Sequence, residues 1–160
     1  MSVEGIKGNI FAAFHTRLKG RPCRPFDSDT KIRIRLPSHV RFYYPDVSVV
    51  CRPNPQSDSF QDETVVIVEV LSRKTRRIDE GEKRDADLTI PSLAACLLVE
   101  QESPGIVVYR RTEEGFAREP HIGLDAVVAL AEIDTQLRLS EAFDGVEFVP
   151  EDDENEAARR

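Results

Sequence analysis

Cysteine and histidine are both scarce, three of each in 160 residues, and neither is arranged as a ligand set. There is no C-x-x-C pair and no histidine beside a cysteine, which argues against zinc. The odd, scattered set of Cys23, Cys51 and Cys96 argues against a disulfide framework. Cys51 and Cys96 stand in apolar runs and are expected to be small buried hydrophobes, and Cys23, between Pro22 and Pro25, a loop residue. His15, His39 and His121 are far apart and read as structural or surface residues. G-x-G-x-x-G, P-loop and G-x-S-x-G sequences are all missing, so dinucleotide, ATP and serine-hydrolase readings lose their main support. The first ten residues carry Glu4 and Lys7 and no apolar core. They are neither a signal peptide nor a membrane span, which predicts a cytoplasmic protein with no membrane partner. No internal repeat or low-complexity tract is present.

The residues that are there describe a globular domain. The hydrophobic fraction is 40% and the charged fraction 32%, enough to form one core at this length. Residues 1–149 are expected to fold as one domain and 150–160 to form an acidic, disordered tail. Formal net charge is −7, of which the tail's five acids and two arginines supply −3, leaving −4 on the rest. Basic residues nevertheless cluster at Lys31 to Arg41 and at Arg73 to Arg84, as phosphate neutralisation would require.

Apolar residues at Ile6, Ile10, Phe11, Phe14 and Leu18 predict an amphipathic helix over 4–19, stopped by Gly20. Lys31 to Leu36 alternates strictly and predicts a strand with one wet, basic face. Tyr44 to Cys51 predicts a second strand. Val65 to Leu71, β-branched and apolar on both faces, predicts a central strand covered on both sides. A charged helix over 76–88 follows, then a hairpin from Ala95–Val99 and Ile106–Arg110 around Pro104-Gly105. Residues 121–148 read as a helical or short-strand appendage. The order predicts an α/β domain, a mixed β-sheet flanked by helices.

Glu69 lies inside the most apolar of these strands, where an ionised carboxylate costs several kcal/mol unless a cation, hydrogen bonds or protonation offsets it. By alternation Val65, Ile67, Glu69 and Leu71 share one face of their strand and Asp46, Ser48 and Val50 share a face of the preceding strand, so if the strands are adjacent Asp46 and Glu69 can converge. Two carboxylates, a backbone carbonyl and water make the oxygen shell that Mg²⁺ prefers. An Asp in a turn and a Glu paired with an arginine is the alternative.

The sequence Pro45-Asp46-Val47 and the run Val68-Glu69-Val70-Leu71-Ser72, with 22 residues between Asp46 and Glu69, resemble the PD-(D/E)XK nuclease superfamily. Within it, Thr75, Asp79, Lys83 and Leu98-Val99-Glu100 make the chain most similar to the Uma-type restriction endonucleases, from about Gly5 to Val146. The resemblance implies a restriction-endonuclease-like fold and a Mg²⁺- or Mn²⁺-dependent endonuclease acting on DNA. It implies Asp46 and Glu69 as metal ligands, with the carbonyl of Val70 completing the shell. Leu71 stands where the superfamily's lysine belongs. Lys83 is its expected substitute, the alternative being a solvated lysine paired with Asp87 at i, i+4. The family's N-terminal hairpin is missing, and Glu4 is the one acid before Asp27 available as a third site carboxylate. Arg33, Arg35, Arg73, Lys74, Arg76 and Arg77 are the expected phosphate contacts, against a solubilising face as the alternative. Cutting two strands suggests a homodimer. A nuclease-like nucleic-acid-binding module without efficient chemistry, and a structural protein whose carboxylates form ion pairs, are the competing functions.

Overall fold

A computed structural model of the chain describes residues 3–72 and 84–148. Helix α1 (Val3–Arg17) buries Ile6, Ile10 and Phe14 at four-residue spacing, and Gly20, at φ 75°, turns the chain away in the left-handed conformation that glycine adopts without strain. Strands β1 (Arg24–Phe26), β2 (Lys31–Arg35), β3 (Val40–Tyr43), β4 (Val47–Val50), β5 (Phe60–Gln61) and β6 (Thr64–Val70) follow, then the short helix α2 (Arg84–Asp87). After it come β7 (Ala95–Val99), β8 (Gly105–Thr112), β9 (Gly115–Ile122), β10 (Val127–Leu130), β11 (Thr135–Arg138) and helix α3 (Leu139–Ala142).

A six-stranded sheet in the order β1-β4-β6-β7-β8-β9 forms the centre. Only β6 and β7 run parallel within it, and both are apolar on both faces because both faces are covered. On one face α1, the β10–β11 hairpin and α3 enclose Val66, Val68, Val70, Leu97 and Val99. Asn9 fastens α3 to α1, its amide donating to the carbonyls of Ala142 at 3.0 Å and Asp144 at 2.9 Å. On the other face a three-stranded sheet, β3-β2-β5, lowers Ile32 and Ile34 onto Ile67, Leu71 and Leu98, with Ala86 of α2 beside them. The expected strand at Lys31 is therefore present, with Ile32 and Ile34 inward and its basic residues outward.

The cysteine expectation is corrected in part. Cys96 is a buried free thiol, but Cys23 and Cys51 are disulfide-bonded. The antiparallel register of β1 on β4 pairs Arg24 with Val50, so one step further Cys23 lies directly across from Cys51. Residues 121–148 are mainly a hairpin closed by a helical turn, and residues 149–160 lie outside the described part.

Candidate active site

Pro45 cannot donate to a sheet ladder, so pairing of β4 starts only at Val47, which lies opposite Val68 of β6. Asp46 is thus one step beyond the ladder, level with Glu69. Its carboxylate replaces the missing ladder bond: Asp46 Oδ2 accepts the backbone N–H of Val70 at 2.7 Å. The other oxygen, Oδ1, lies 4.0 Å from Lys7 Nζ. Lys7 also reaches Glu4 Oε1 at 3.1 Å and donates to Ser28 Oγ at 3.2 Å. With Phe11 and Asp27 these residues line a cleft of about 260 Å³ between α1 and the end of the sheet.

Glu69 sits next to the residue that Asp46 holds. It is only 3% exposed, and by parity it shares the second face with Ile67 and Leu71, while Val68 and Val70 face α1. Strand parity thus gave the adjacency of β4 and β6 and the side on which Glu69 stands. It did not give the tilt of Asp46 toward α1, because a residue outside the ladder is not bound by alternation. Leu71, at the position of the superfamily's lysine, is buried in the second core. Lys7 is a basic residue of this cleft that sequence reasoning passed over. Its helical position, one turn after Glu4 and one turn before Phe11, was the available signal.

Lys83, Arg73, Lys74, Arg76 and Arg77 lie outside the described residues, as do Thr75 and Asp79. Arg33 is held by Asp62 through two bonds, Nε to Oδ1 at 2.7 Å and Nη2 to Oδ2 at 2.6 Å, and Asn54 donates to the same carboxylate at 3.0 Å. That pairing raises the Arg33 pKa and draws the Asp62 carboxyl below its usual range. Arg35 is exposed and makes no ion pair with a described residue. Among the described residues no group of three or more His, Cys, Asp or Glu side chains gathers as a metal site. Asp46, Glu69 and the Val70 carbonyl are oxygen donors of the kind a hard divalent cation takes, but Asp46 tilts toward Lys7 of α1 while Glu69 stands on the second face with Ile67 and Leu71. No described helix is long and apolar enough to cross a membrane.

A family model described as "Uma2: Putative restriction endonuclease" matches residues 3–147. The chain belongs to this family. The match runs through α1, both acids and the closing hairpin. This Uma2 chain is 35% identical over 111 residues to "Uncharacterized protein slr1290" of Synechocystis sp. (strain ATCC 27184 / PCC 6803 / Kazusa). That alignment covers 69% of this chain and 57% of the relative, little more than half the relative's length. In structure it is similar to a "putative nuclease belonging to DUF820" from Anabaena variabilis ATCC 29413, with a TM-score of 0.71 at 17% identity, over 91% of this chain and 82% of that one. The shared architecture is the restriction-endonuclease-like mixed sheet with flanking helices expected from the sequence.

Proposed function

We propose that this chain is a metal-dependent endonuclease that hydrolyses DNA phosphodiester bonds at the β4–β6 strand end. The observation that carries the reading is the bond from Val70 N–H to Asp46 Oδ2, which fastens one acid beside the residue following the other in a member of a restriction endonuclease family. Asp46, Glu69 and the Val70 carbonyl would hold Mg²⁺ or Mn²⁺, which supplies charge on a phosphoryl oxygen and an activated water when bound. The protein's own part is to fix the acids and to bring cations to the phosphates. Lys7 beside Asp46 fits the second task, and Lys83 is assigned to orient water or to stabilise charge in the transition state. Arg35, Arg73, Lys74, Arg76 and Arg77 are assigned to flanking phosphates, whereas Arg33 is already held by Asp62. A cytoplasmic site of action and a homodimer for cutting two strands belong to the same reading. Cytoplasmic reductants would keep Cys23 and Cys51 as thiols.

The test is nicking of supercoiled plasmid and of single-stranded DNA with Mg²⁺, Mn²⁺ or EDTA, alongside Asp46→Ala and Glu69→Ala. The proposal expects metal-dependent nicking lost in both variants. Nicking that persists in both sinks the site. Burial of Leu71 where a lysine is usual favours a second reading, a nuclease-like module that binds nucleic acid without cutting it. Salt-sensitive binding with no nicking would select that reading.

A further inference from the structure

The outer face of the β3-β2-β5 sheet differs from an ordinary wet face. Where β2 points Ile32 and Ile34 inward, it points Lys31, Arg33 and Arg35 outward. The register sets Arg33 opposite Phe42, Arg35 opposite Val40 and Lys31 opposite Phe60. Phe42 is 50% exposed, and Tyr44, the next residue but one along the chain, is 54% exposed. Lys31 Nζ lies 5.1 Å from the Phe42 ring centre, Arg33 Cζ lies 4.2 Å from that of Phe60, and the two phenyl rings meet edge to face at 5.7 Å. Two half-exposed rings leave apolar surface in water on the side of the sheet to which Lys31, Arg33 and Arg35 point. From Tyr44 the chain passes directly through Pro45 to Asp46. Phe42 is four residues from that acid, at most about 14 Å of extended chain.

We infer that this face is a stacking platform for unpaired bases, on which Phe42 and Tyr44 receive bases of single-stranded DNA while Lys31 and Arg35 meet its phosphates on the way to Asp46. The inference rests on the nuclease reading and adds the strand state of the substrate. Rings accept any base through its π-face, whereas a duplex keeps its bases stacked on one another and offers only phosphates to the cations. Charge selects this occupant over a second copy of the chain. A two-fold dimer built on this face would set Lys31 and Arg35 against the same cations of its partner. Neither Lys31 nor Arg35 forms a salt bridge with a described carboxylate, Arg35 reaching Asp62 only through space, whereas Arg33 is bonded to Asp62 on both arms and stays as a support under Phe60.

The chain contains no tryptophan, so Phe42→Trp places a single indole reporter on the platform, and Ile122→Trp, at a position 82% exposed on edge strand β9, is the control. Each is titrated in EDTA with a 20-nucleotide oligo(dT) and with a 20-base-pair duplex. Unlabelled wild type and Phe42→Ala/Tyr44→Ala are compared by fluorescence anisotropy of labelled oligonucleotide. Expected results are quenching of the Phe42→Trp emission by about half with oligo(dT) but not with duplex, no quenching of Ile122→Trp, and at least tenfold weaker oligo(dT) binding by the double alanine variant. The platform is overturned if oligo(dT) binds with the indole unquenched, or if the double variant binds as wild type does. It is equally overturned if binding is lost instead in Lys19→Glu/Arg24→Glu, in the groove between α1 and β1. A change in sedimentation of the double variant with unchanged DNA binding would reassign the face to self-association. Failure of the platform with Asp46-dependent nicking intact leaves the nuclease reading standing, whereas a wild type that binds neither DNA removes both.

Discussion

Asp87 is an acid in surroundings that oppose its charge. Spacing offers it, as the alternative to a catalytic Lys83, as that lysine's solvated partner, but it is 1% exposed, and neither carboxylate oxygen receives a hydrogen bond from a described residue. Burial raises its pKa to about 8, against the opposing pull of Arg41. Folded chains therefore keep this proton after unfolded ones release it. The resulting stability is full below about pH 4 and is lost as the pH climbs through 8. Asp87→Asn, which cannot ionise, should melt close to wild type at pH 4 and increasingly above it up to pH 8, by on the order of 10 °C at the upper end. Parallel melting curves across that range would refute the assignment. Asp46 poses a different test at the same scale. Asp46→Asn keeps an acceptor for the Val70 N–H, whereas Asp46→Ala leaves a buried donor unpaired. Urea unfolding should show the alanine variant about 1–3 kcal/mol less stable and the asparagine variant within about 1 kcal/mol of wild type. Equal losses would mean that the bond to Val70 contributes little.

Among the secondary-structure elements, legibility followed burial. Val65 to Leu71 and Ala95 to Val99 were readable because strands covered on both faces must be apolar throughout, and Lys31 to Arg35 because a half-buried strand must alternate. Strand β9 went unread: it is an exposed edge whose sequence, with Glu119 and Pro120, is polar for the reason that edges usually are. The disulfide escaped for another reason. Cysteine spacing along the chain says nothing about register, and only the pairing of β1 with β4 sets Cys23 across from Cys51. This crosslink ties the edge strand β1 to β4, the strand that Asp46 precedes. For a sequence separation of 28, the chain-entropy model gives about 3–4 kcal/mol of stabilisation. Oxidised protein should therefore melt roughly 10 °C above protein held in reductant, and Cys23→Ser/Cys51→Ser should match the reduced form. If the double serine variant melts with the oxidised wild type, the crosslink does not stabilise the native fold.

For the molecule as a whole, the sequence conveyed the architecture and the strand end where the acids sit, because motif order and strand parity are properties of the chain. The use of each cation was not legible, since ion pairs form between residues far apart in sequence. Arg33 and Arg35 look alike along β2, yet Arg33 is held by Asp62 and Arg35 is not. The distinction bears on how an acidic protein of net charge −7 can bind an anionic polymer. Overall charge repels DNA, so affinity must come from a few local cations that release counterions, and salt reports how many of them act. With Lys31 and Arg35 each meeting one phosphate, the two together should contribute about −1.4 to the slope of log K against log salt for single-stranded DNA. Lys31→Glu/Arg35→Glu should make that slope shallower by at least about 1.4. Arg33→Gln should leave it nearly unchanged while lowering the melting temperature, because its guanidinium already serves Asp62 and Phe60. A slope that responds to Arg33 as strongly as to Arg35 would show that the Asp62 pair opens on binding, and the count of acting cations would then include it.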